Sequence, residues 1–128
     1  MSDPSTGAAR RWRVVAGHTS EYPEPITFPA GAPLAVGERY AGPEGWEDWW
    51  FCETPGQKGG WVPAQVIERF PDGSARSREA YTARELDVRI GDVLTGSRAL
   101  NGWLWACAVG GSESGWVPLA NLVALPED

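Results

Sequence analysis

Few side chains in this chain have the chemistry for catalysis or metal binding. His18 is the one histidine, and Cys52 and Cys107 are the two cysteines. A structural zinc site takes four closely spaced ligands, mostly cysteine and histidine, which these three residues do not provide. His18 also has no matching serine, cysteine or carboxylate pattern that would make it a general base, which favours a packing or binding role. The sequence therefore predicts a non-enzymatic protein without metal or cofactor.

The cysteines and the densest group of acidic residues have simpler explanations. Cys52 and Cys107 lie within apolar, strand-like segments, where a free thiol packs as a small hydrophobic group. Glu44, Glu47 and Asp48 form a cluster of loop carboxylates, which we expect to be solvated and able to contact a basic ligand. Because the first residues do not resemble a signal peptide, we expect a cytoplasmic protein with reduced thiols.

The charge and the hydropathy pattern disfavour two classes of partner. The net charge is −6 at pH 7, and the only basic cluster is "RRWR" at 10–13. A protein that binds a phosphate backbone normally has a basic face. No apolar run approaches the roughly 18 residues that are needed to span a bilayer. We therefore expect neither nucleic acid nor a membrane as a partner, while the oligomeric state stays open.

Tryptophan is the most unusual feature of the composition. The chain has eight tryptophans, and the stretch "EGWEDWWFC" contains Trp46, Trp49 and Trp50. A small core benefits from large aromatic side chains, each of which buries roughly 150–250 Å². Adjacent residues of a strand point to opposite faces, so Trp49 and Trp50 cannot both enter one core. One of them must lie at the surface or in a second interface.

The chain repeats itself in three matched blocks. Both copies contain Gly-Trp-Val-Pro, preceded first by a tryptophan-rich segment and, further upstream, by an alternating segment with a glycine. The paired blocks are 26–36 with 86–96, 48–53 with 102–108, and 60–63 with 115–118. Three blocks in the same order predict an internal duplication.

The spacing of the blocks locates an insertion. Gly31 and Gly91 are 60 positions apart, whereas Trp49 and Trp103 are 54 apart, so the first copy has six extra residues between these points. Insertions occur in surface loops. We therefore place the segment "ERYAGPEGWED", which contains Trp46, in a loop.

The local pattern is that of short strands. The segments "ITF" at 26–28 and "LDVRI" at 86–90 alternate between apolar and polar residues. Sixteen glycines and eleven prolines interrupt the chain too often for a long helix. Short strands at this spacing are typical of sandwiches and small barrels. The predicted fold class is all-β.

In both copies these blocks resemble the SH3 domain. Its pattern has an alternating strand, a glycine turn, a "DWW" strand, and Gly-aromatic-aliphatic-Pro followed by a one-turn 3₁₀ helix and a last strand. The matching positions are 25–28, 31, 48–50 and 60–63 in the first copy, and 85–88, 91, 102–104 and 115–118 in the second. The chain is similar to bacterial variant-SH3 proteins, and the resemblance implies two tandem SH3-like small β-barrels.

The repeats and the resemblance together predict the domain boundaries. We expect a flexible N-terminus at 1–12, a first SH3-like barrel at 13–70 and a second at 77–125. The segment "FPDGSARS" at 70–77 has turn residues without an apolar pattern, so we place a linker at 71–76.

The resemblance also implies a binding site. SH3 domains bind extended, proline-rich peptides in a shallow aromatic groove. Carried over to this sequence, the ligand-binding residues are His18, Glu21, Glu24, Trp46, Trp49, Trp61 and Pro63 in the first copy, and Tyr81, Glu85, Trp103, Trp116 and Pro118 in the second. Val66 and Leu122 replace the last groove tyrosine of the family, which reduces the surface available to a polyproline helix.

We therefore expect a non-catalytic module that binds a peptide or protein segment, with proline-containing segments among the candidates. The alternative is a structural subunit whose tryptophans pack against a larger partner, a second copy or the other repeat. Recognition of cell-wall peptide is a weaker third possibility, which the lack of a signal peptide disfavours. Within the pair of tryptophans, the resemblance assigns Trp49, like Trp103, to the recognition surface and Trp50 to the framework.

Overall fold

The chain is all-β, as predicted. The computed structural model describes residues 10–20, 23–42 and 48–126. Over these residues it contains strands and two one-turn 3₁₀ segments, Ala64–Val66 and Leu119–Asn121, but no α-helix and hence no helix long and apolar enough to cross a membrane. The strands are β1 (Arg10–Val14), β2 (Thr27–Phe28), β3 (Pro33–Arg39), β4 (Trp49–Glu53), β5 (Gly60–Pro63), β6 (Ile67–Arg69), β7 (Ala75–Ser77), β8 (Tyr81–Thr82), β9 (Val93–Leu100), β10 (Trp103–Ala108), β11 (Ser114–Pro118) and β12 (Leu122–Ala124).

The strands separate into two compact units. The central unit comprises Tyr22–Arg84, and the terminal unit combines Met1–Glu21 with Glu85–Asp128. The terminal unit is therefore built from both ends of the described chain, whereas the central unit is continuous in sequence.

The central unit contains a five-stranded antiparallel sheet in the order β5-β4-β3-β7-β6. One edge of β7 pairs with β3, where Leu34 lies opposite Ala75, and the other edge pairs with β6, where Ile67 lies opposite Ser77. A separate antiparallel ladder joins β2 to β8. Thus β7 is an internal strand of the central sheet.

The terminal unit contains a second five-stranded antiparallel sheet, in the order β11-β10-β9-β1-β12. One edge of β1 pairs with β9, where Trp12 lies opposite Leu94, and the other edge pairs with β12, where Val14 lies opposite Leu122. The two sheets correspond strand by strand, with β9 to β12 in the places of β3 to β6. In the terminal sheet, β1 takes the place that β7 has in the central sheet.

This strand pairing differs from the predicted boundaries. A first barrel at 13–70 would pair β1 with β3 and β6, but β1 lies between β9 and β12. A second barrel at 77–125 would need a first strand from its own copy, but β7 lies in the central sheet. The predicted flexible segment 1–12 also includes the first residues of β1. The sequence did not reveal these pairings because the hydrogen bonds between strands come from backbone groups, which are the same in every strand.

The predicted linker at 71–76 instead comprises the turn of the hairpin that joins β6 to β7 and the first two residues of β7, Ala75 and Arg76. The Gly73 N–H donates to the Phe70 carbonyl at 3.0 Å, and the Phe70 N–H donates to the Ser74 carbonyl at 2.9 Å. Gly73 has a φ of +90°, in the left-handed region that glycine adopts without a Cβ penalty. The Asp72 carboxylate accepts hydrogen bonds from the hydroxyl and the backbone N–H of Ser74, and these bonds lower the pKa of Asp72.

Each core includes side chains from one face of two neighbouring strands. In the central unit, Cys52 of β4 and Val62 of β5 are fully buried. In the terminal unit, the corresponding strands β10 and β11 bury Leu104 and Val117. The core of the terminal unit consists of Val14, Leu86, Val88, Leu94, Leu104, Ala106, Val117 and Leu122. Its first member comes from β1, so the start of the described chain supplies part of this core.

Candidate functional site

The central sheet carries aromatic residues on the face opposite its core. Successive side chains of a strand alternate between faces. Because Val62 enters the core, Trp61 and Pro63 of β5 point away from it. Trp49 and Phe51 of β4 lie on the same outer face, directly opposite Pro63 and Trp61 respectively. We call these four residues the central aromatic face.

Trp61 is the centre of this face. Its ring makes edge-to-face contacts with Phe51, at a centroid distance of 5.4 Å, and with Tyr40, at 5.1 Å. Both geometries are favourable for aromatic pairs. The Tyr81 hydroxyl donates to the Trp61 carbonyl at 3.0 Å. A Cβ atom at Gly59 would lie 2.5 Å from the Phe51 ring, so the glycine leaves the room that this ring occupies.

The terminal sheet has a corresponding outer face. Trp103 and Trp105 of β10 lie opposite Pro118 and Trp116 of β11, respectively. The rings of Trp105 and Trp116 contact each other at a centroid distance of 5.3 Å and an interplanar angle of 69°. Leu104, between the two tryptophans of β10, points to the core. We call Trp103, Trp105, Trp116 and Pro118 the terminal aromatic face.

His18 and Glu85 adjoin Trp103 in the terminal unit. The His18 Nε2 lies 2.7 Å from the Glu85 Oε1, and both side chains are mostly buried. The imidazole ring meets the Trp103 ring edge-on, at a centroid distance of 5.5 Å and an angle of 79°. Two backbone hydrogen bonds with Val88 hold His18 in place. This carboxylate is therefore already engaged by a side chain of its own unit.

His18 and Tyr81 lie in the opposite units from those predicted. The resemblance assigned His18 to the groove of Trp49 and Trp61, but it contacts Trp103. It assigned Tyr81 to the second copy, but its hydroxyl bonds to Trp61. The cause is the position of the first strands, because His18 follows β1 and Tyr81 follows β7.

The remaining predicted acids do not converge on the aromatic faces as a group. Glu24 forms an exposed ion pair with Lys58, with 2.8 Å between the carboxylate oxygen and Nζ. The hydrogen bond and the positive charge of Lys58 lower the pKa of Glu24, and the same contact raises the pKa of Lys58. Glu21 and Trp46 lie outside the described residues.

Burial contradicts the predicted exposure of Trp49 and Trp103. Trp49 is 6% exposed and Trp103 is 8% exposed, so neither is an open recognition surface. Trp50 is half-buried, and the Arg69 guanidinium lies over its ring, 4.5 Å from the centroid. Strand alternation does separate Trp49 from Trp50, as predicted. Which of them is covered depends on residues from other strands, such as Pro63, which lies opposite Trp49 and is itself fully buried.

The accessible aromatic surface lies elsewhere on the two faces. Trp61, Phe51 and Tyr40 are half-buried in the central unit, as is Trp105 in the terminal unit, whereas Trp116 is 5% exposed. Of these, Phe51, Tyr40 and Trp105 were not among the predicted site residues. The period-two pattern would have found Phe51 and Trp105, since each lies two positions after a predicted groove tryptophan.

The cysteines and the acidic residues do not form a reactive set within the described part of the chain. Cys52 and Cys107 are free thiols. Burial raises the pKa of the Cys52 thiol to about 11, which keeps it protonated near neutral pH. Over residues 10–20, 23–42 and 48–126, no three histidine, cysteine, aspartate or glutamate side chains are grouped so as to hold a metal ion.

Comparison with known proteins bears on the N-terminal half of the chain. Searches of curated proteins and of solved structures give no match. Residues 11–69 match the family model described as "Variant SH3 domain", so this part of the sequence is similar to SH3 domains, which generally act as protein-interaction modules.

Proposed function

We propose that this protein is a non-catalytic module that binds an extended peptide or protein segment on its aromatic faces. We further propose that both units are SH3-like domains that arose by internal duplication, since their sheets have corresponding strand orders and corresponding tryptophans. The observation that carries the proposal is the half-buried Trp61, flanked edge-to-face by Tyr40 and Phe51 on a surface opposite the core. Flat aromatic faces of this kind suit an extended ligand that includes proline.

The negative charge of the protein favours one chemical class of ligand. The net charge is −6, and Glu53, which follows Phe51 by two positions on β4, is exposed on the side of the central aromatic face. A ligand that carries arginine or lysine next to its apolar residues would gain both stacking and charge attraction. Such a segment is the ligand class that we propose.

The experiment is a screen of the full chain against an array of extended peptides, with and without proline and basic residues, followed by titration of the peptides that bind. We expect Trp61→Ala to weaken binding about 30-fold or more, because truncation of a central aromatic contact commonly costs 2 kcal/mol or more. Trp50→Ala is the matched control, since Trp50 is also half-buried but lies on the opposite side of the sheet, and it should leave affinity unchanged. A peptide whose affinity survives Trp61→Ala would contradict the proposed site.

A second function is favoured by a different observation. The low exposure of Trp49, Trp103 and Trp116 suits a structural subunit whose tryptophans serve packing rather than ligand capture. In that case no extended peptide from the array binds, and affinity purification of the full chain yields one protein partner in a constant ratio. The same Trp61→Ala variant would then still retain that partner.

A further inference from the structure

The strand β1 occupies the position between β9 and β12 in the terminal sheet, which we call the gap of that sheet. It lies between β9 and β12 and bonds to both. Beyond the ladder, the Val14 N–H donates to the Asp92 carbonyl at 2.9 Å, and the Val14 carbonyl accepts from the Gly91 N–H at 2.8 Å. Without β1, β9 and β12 would each expose an unpaired edge of backbone donors and acceptors. The terminal sheet is thus complete only when a strand from outside residues 85–128 is present.

The segment that follows β1 is also attached to the terminal unit. The Val15 N–H donates to the Asn121 carbonyl at 2.8 Å, and the Asn121 side-chain amide donates to the Gly17 carbonyl at 3.1 Å. His18 pairs with Val88, and the Ser20 N–H donates to the Asp87 carboxylate at 2.7 Å. Residues 10–20 therefore form one continuous segment that contacts residues 85–126 at several points along its length.

The side chains of β1 match this gap. Val14 is 1% exposed within the core, and Trp12 packs against the same core. The Trp12 indole donates to the Gly96 carbonyl at 3.1 Å. A Cβ atom at Gly96 would lie 2.6 Å from the Trp105 carbonyl oxygen, so the glycine permits the close approach of β9 to β10 beside this contact.

The corresponding strand of the central unit has different side chains. Ala75 and Ser77 of β7 occupy the ladder positions that correspond to Trp12 and Val14. The Ser77 hydroxyl donates to the Pro29 carbonyl at 2.7 Å and accepts from the Ala32 N–H at 2.9 Å. β7 in the terminal gap would leave the volume of Trp12 unfilled and bury a hydroxyl without these partners. The side chains of β1 and β7 therefore make each strand specific for its own sheet.

We propose that residues 10–20 are a donated strand, and that the gap between β9 and β12 accepts this segment from a second copy of the chain as well as from its own. In the resulting dimer every strand pair of the terminal unit is retained. Exchange of an identical element in this way is a low-cost route to a dimer. The balance between the two forms depends on chain concentration, because the chain's own strand competes through its high effective concentration.

The experiment combines two full-length variants. Val14→Asp puts a charge into the core position of the donated strand, and Leu94→Asp does the same in the acceptor, on the fully buried residue opposite Trp12. Each variant alone should lose hydrogen-exchange protection over residues 91–96 and 103–108 while it keeps protection in the central unit. The variants are then unfolded together in denaturant and refolded as a mixture. We expect a heterodimer of twice the chain mass by sedimentation, in which the Val14→Asp chain regains protection at 91–96.

Val15→Asp is the matched control. Val15 is adjacent to Val14 but 43% exposed, so its variant should retain protection on its own and need no partner chain. Refolding of the Val14→Asp variant with itself should yield no protected terminal unit. A mixture that remains the sum of two defective monomers would overturn the exchange between copies. Full protection of the Val14→Asp variant alone would overturn the requirement for β1.

Discussion

Trp49 and Trp50 are neighbours in the chain but lie in different environments. Trp49 is 6% exposed opposite Pro63, whereas Trp50 is half-buried beneath Arg69. Removal of a packed tryptophan side chain typically costs about 3–5 kcal/mol. We therefore expect Trp49→Ala to lower the free energy of unfolding by this amount. Trp50→Ala should cost less, since part of its ring stays in water and a cation–π contact at an exposed site contributes only about 0.5–1 kcal/mol.

Chemical denaturation of the two variants, monitored by circular dichroism, measures this difference. The reverse ranking, with Trp50→Ala the more damaging, would show that Trp49 is a surface residue after all. Trp103→Ala provides an independent repeat of the comparison in the terminal unit, because Trp103 is 8% exposed and also lies opposite a proline.

Because of Cys52, the stability of the folded protein should vary with pH in the alkaline range. An unfolded thiol ionises near pH 8.5, whereas burial raises the pKa of folded Cys52 to about 11. Between these values the folded state binds more protons than the unfolded state, so stability must fall as pH rises through this window. We expect the fall between pH 8.5 and 11 to be shallower in Cys52→Ala. Equal slopes for the two proteins, from denaturation curves at a series of pH values, would show that the thiol ionises freely in the folded state.

At the scale of elements, β7 determines whether the central sheet closes. Ser77→Ala leaves the Ala32 N–H and the Pro29 carbonyl without the Ser77 hydroxyl as a partner. An unsatisfied buried polar group costs about 1–3 kcal/mol, so we expect the central unit to lose stability by this order. Hydrogen exchange should become faster across β3, β6 and β7, and it should stay unchanged in β9 to β12.

Arg76→Ala is the control on the same strand. Arg76 is exposed and pairs with Glu68 at 3.1 Å, and exposed ion pairs contribute little, typically about 0–1 kcal/mol. If Ser77→Ala instead accelerates exchange in β9 to β12, then β7 belongs to the terminal sheet and the strand assignment is wrong.

At the scale of the whole molecule, the central unit is the part that is continuous in sequence. We expect a polypeptide of residues 22–84 to fold alone, because it contains every strand of its sheet and the β2–β8 ladder. A domain of this size is marginally stable, so its melting temperature should be below that of the full chain. A dispersed amide spectrum and a single cooperative transition would confirm the prediction.

The matched control is a polypeptide of residues 22–74, which ends directly before β7. Without that strand, β3 and β6 lose their common neighbour, and we expect the shorter polypeptide to be unfolded. Two equally folded polypeptides would mean that β7 is dispensable, and an unfolded 22–84 would mean that the central unit needs the rest of the chain.

The sequence by itself determined the all-β fold class and the alternation of faces along the strands. Glycine, proline and β-branched or aromatic residues predicted an all-β chain. Period-two alternation correctly separated Trp49 from Trp50, because alternation is a local property of the backbone. The offset of 54 positions between Trp49 and Trp103 also aligns Cys52 with Ala106, and both are buried on equivalent strands. Half of the accessible aromatic surface, Phe51 and Trp105, could have been found by the same rule.

Only the tertiary structure decided which strand completes which sheet, and which tryptophans are covered. Hydrogen bonds between strands use backbone groups that are identical in β1 and β7, so these groups do not determine which sheet each strand joins. The sheet that each strand joins depends on side-chain volume at two corresponding positions, which are Trp12 and Val14 in β1 and Ala75 and Ser77 in β7. Each pair of side chains fits a site formed by residues that are distant in sequence. Burial of Trp49 and Trp103 depends in the same way on residues distant in sequence, such as Pro63 opposite Trp49 and His18 against Trp103. Such fits are properties of assembled surfaces, and no local pattern in a single strand contains them.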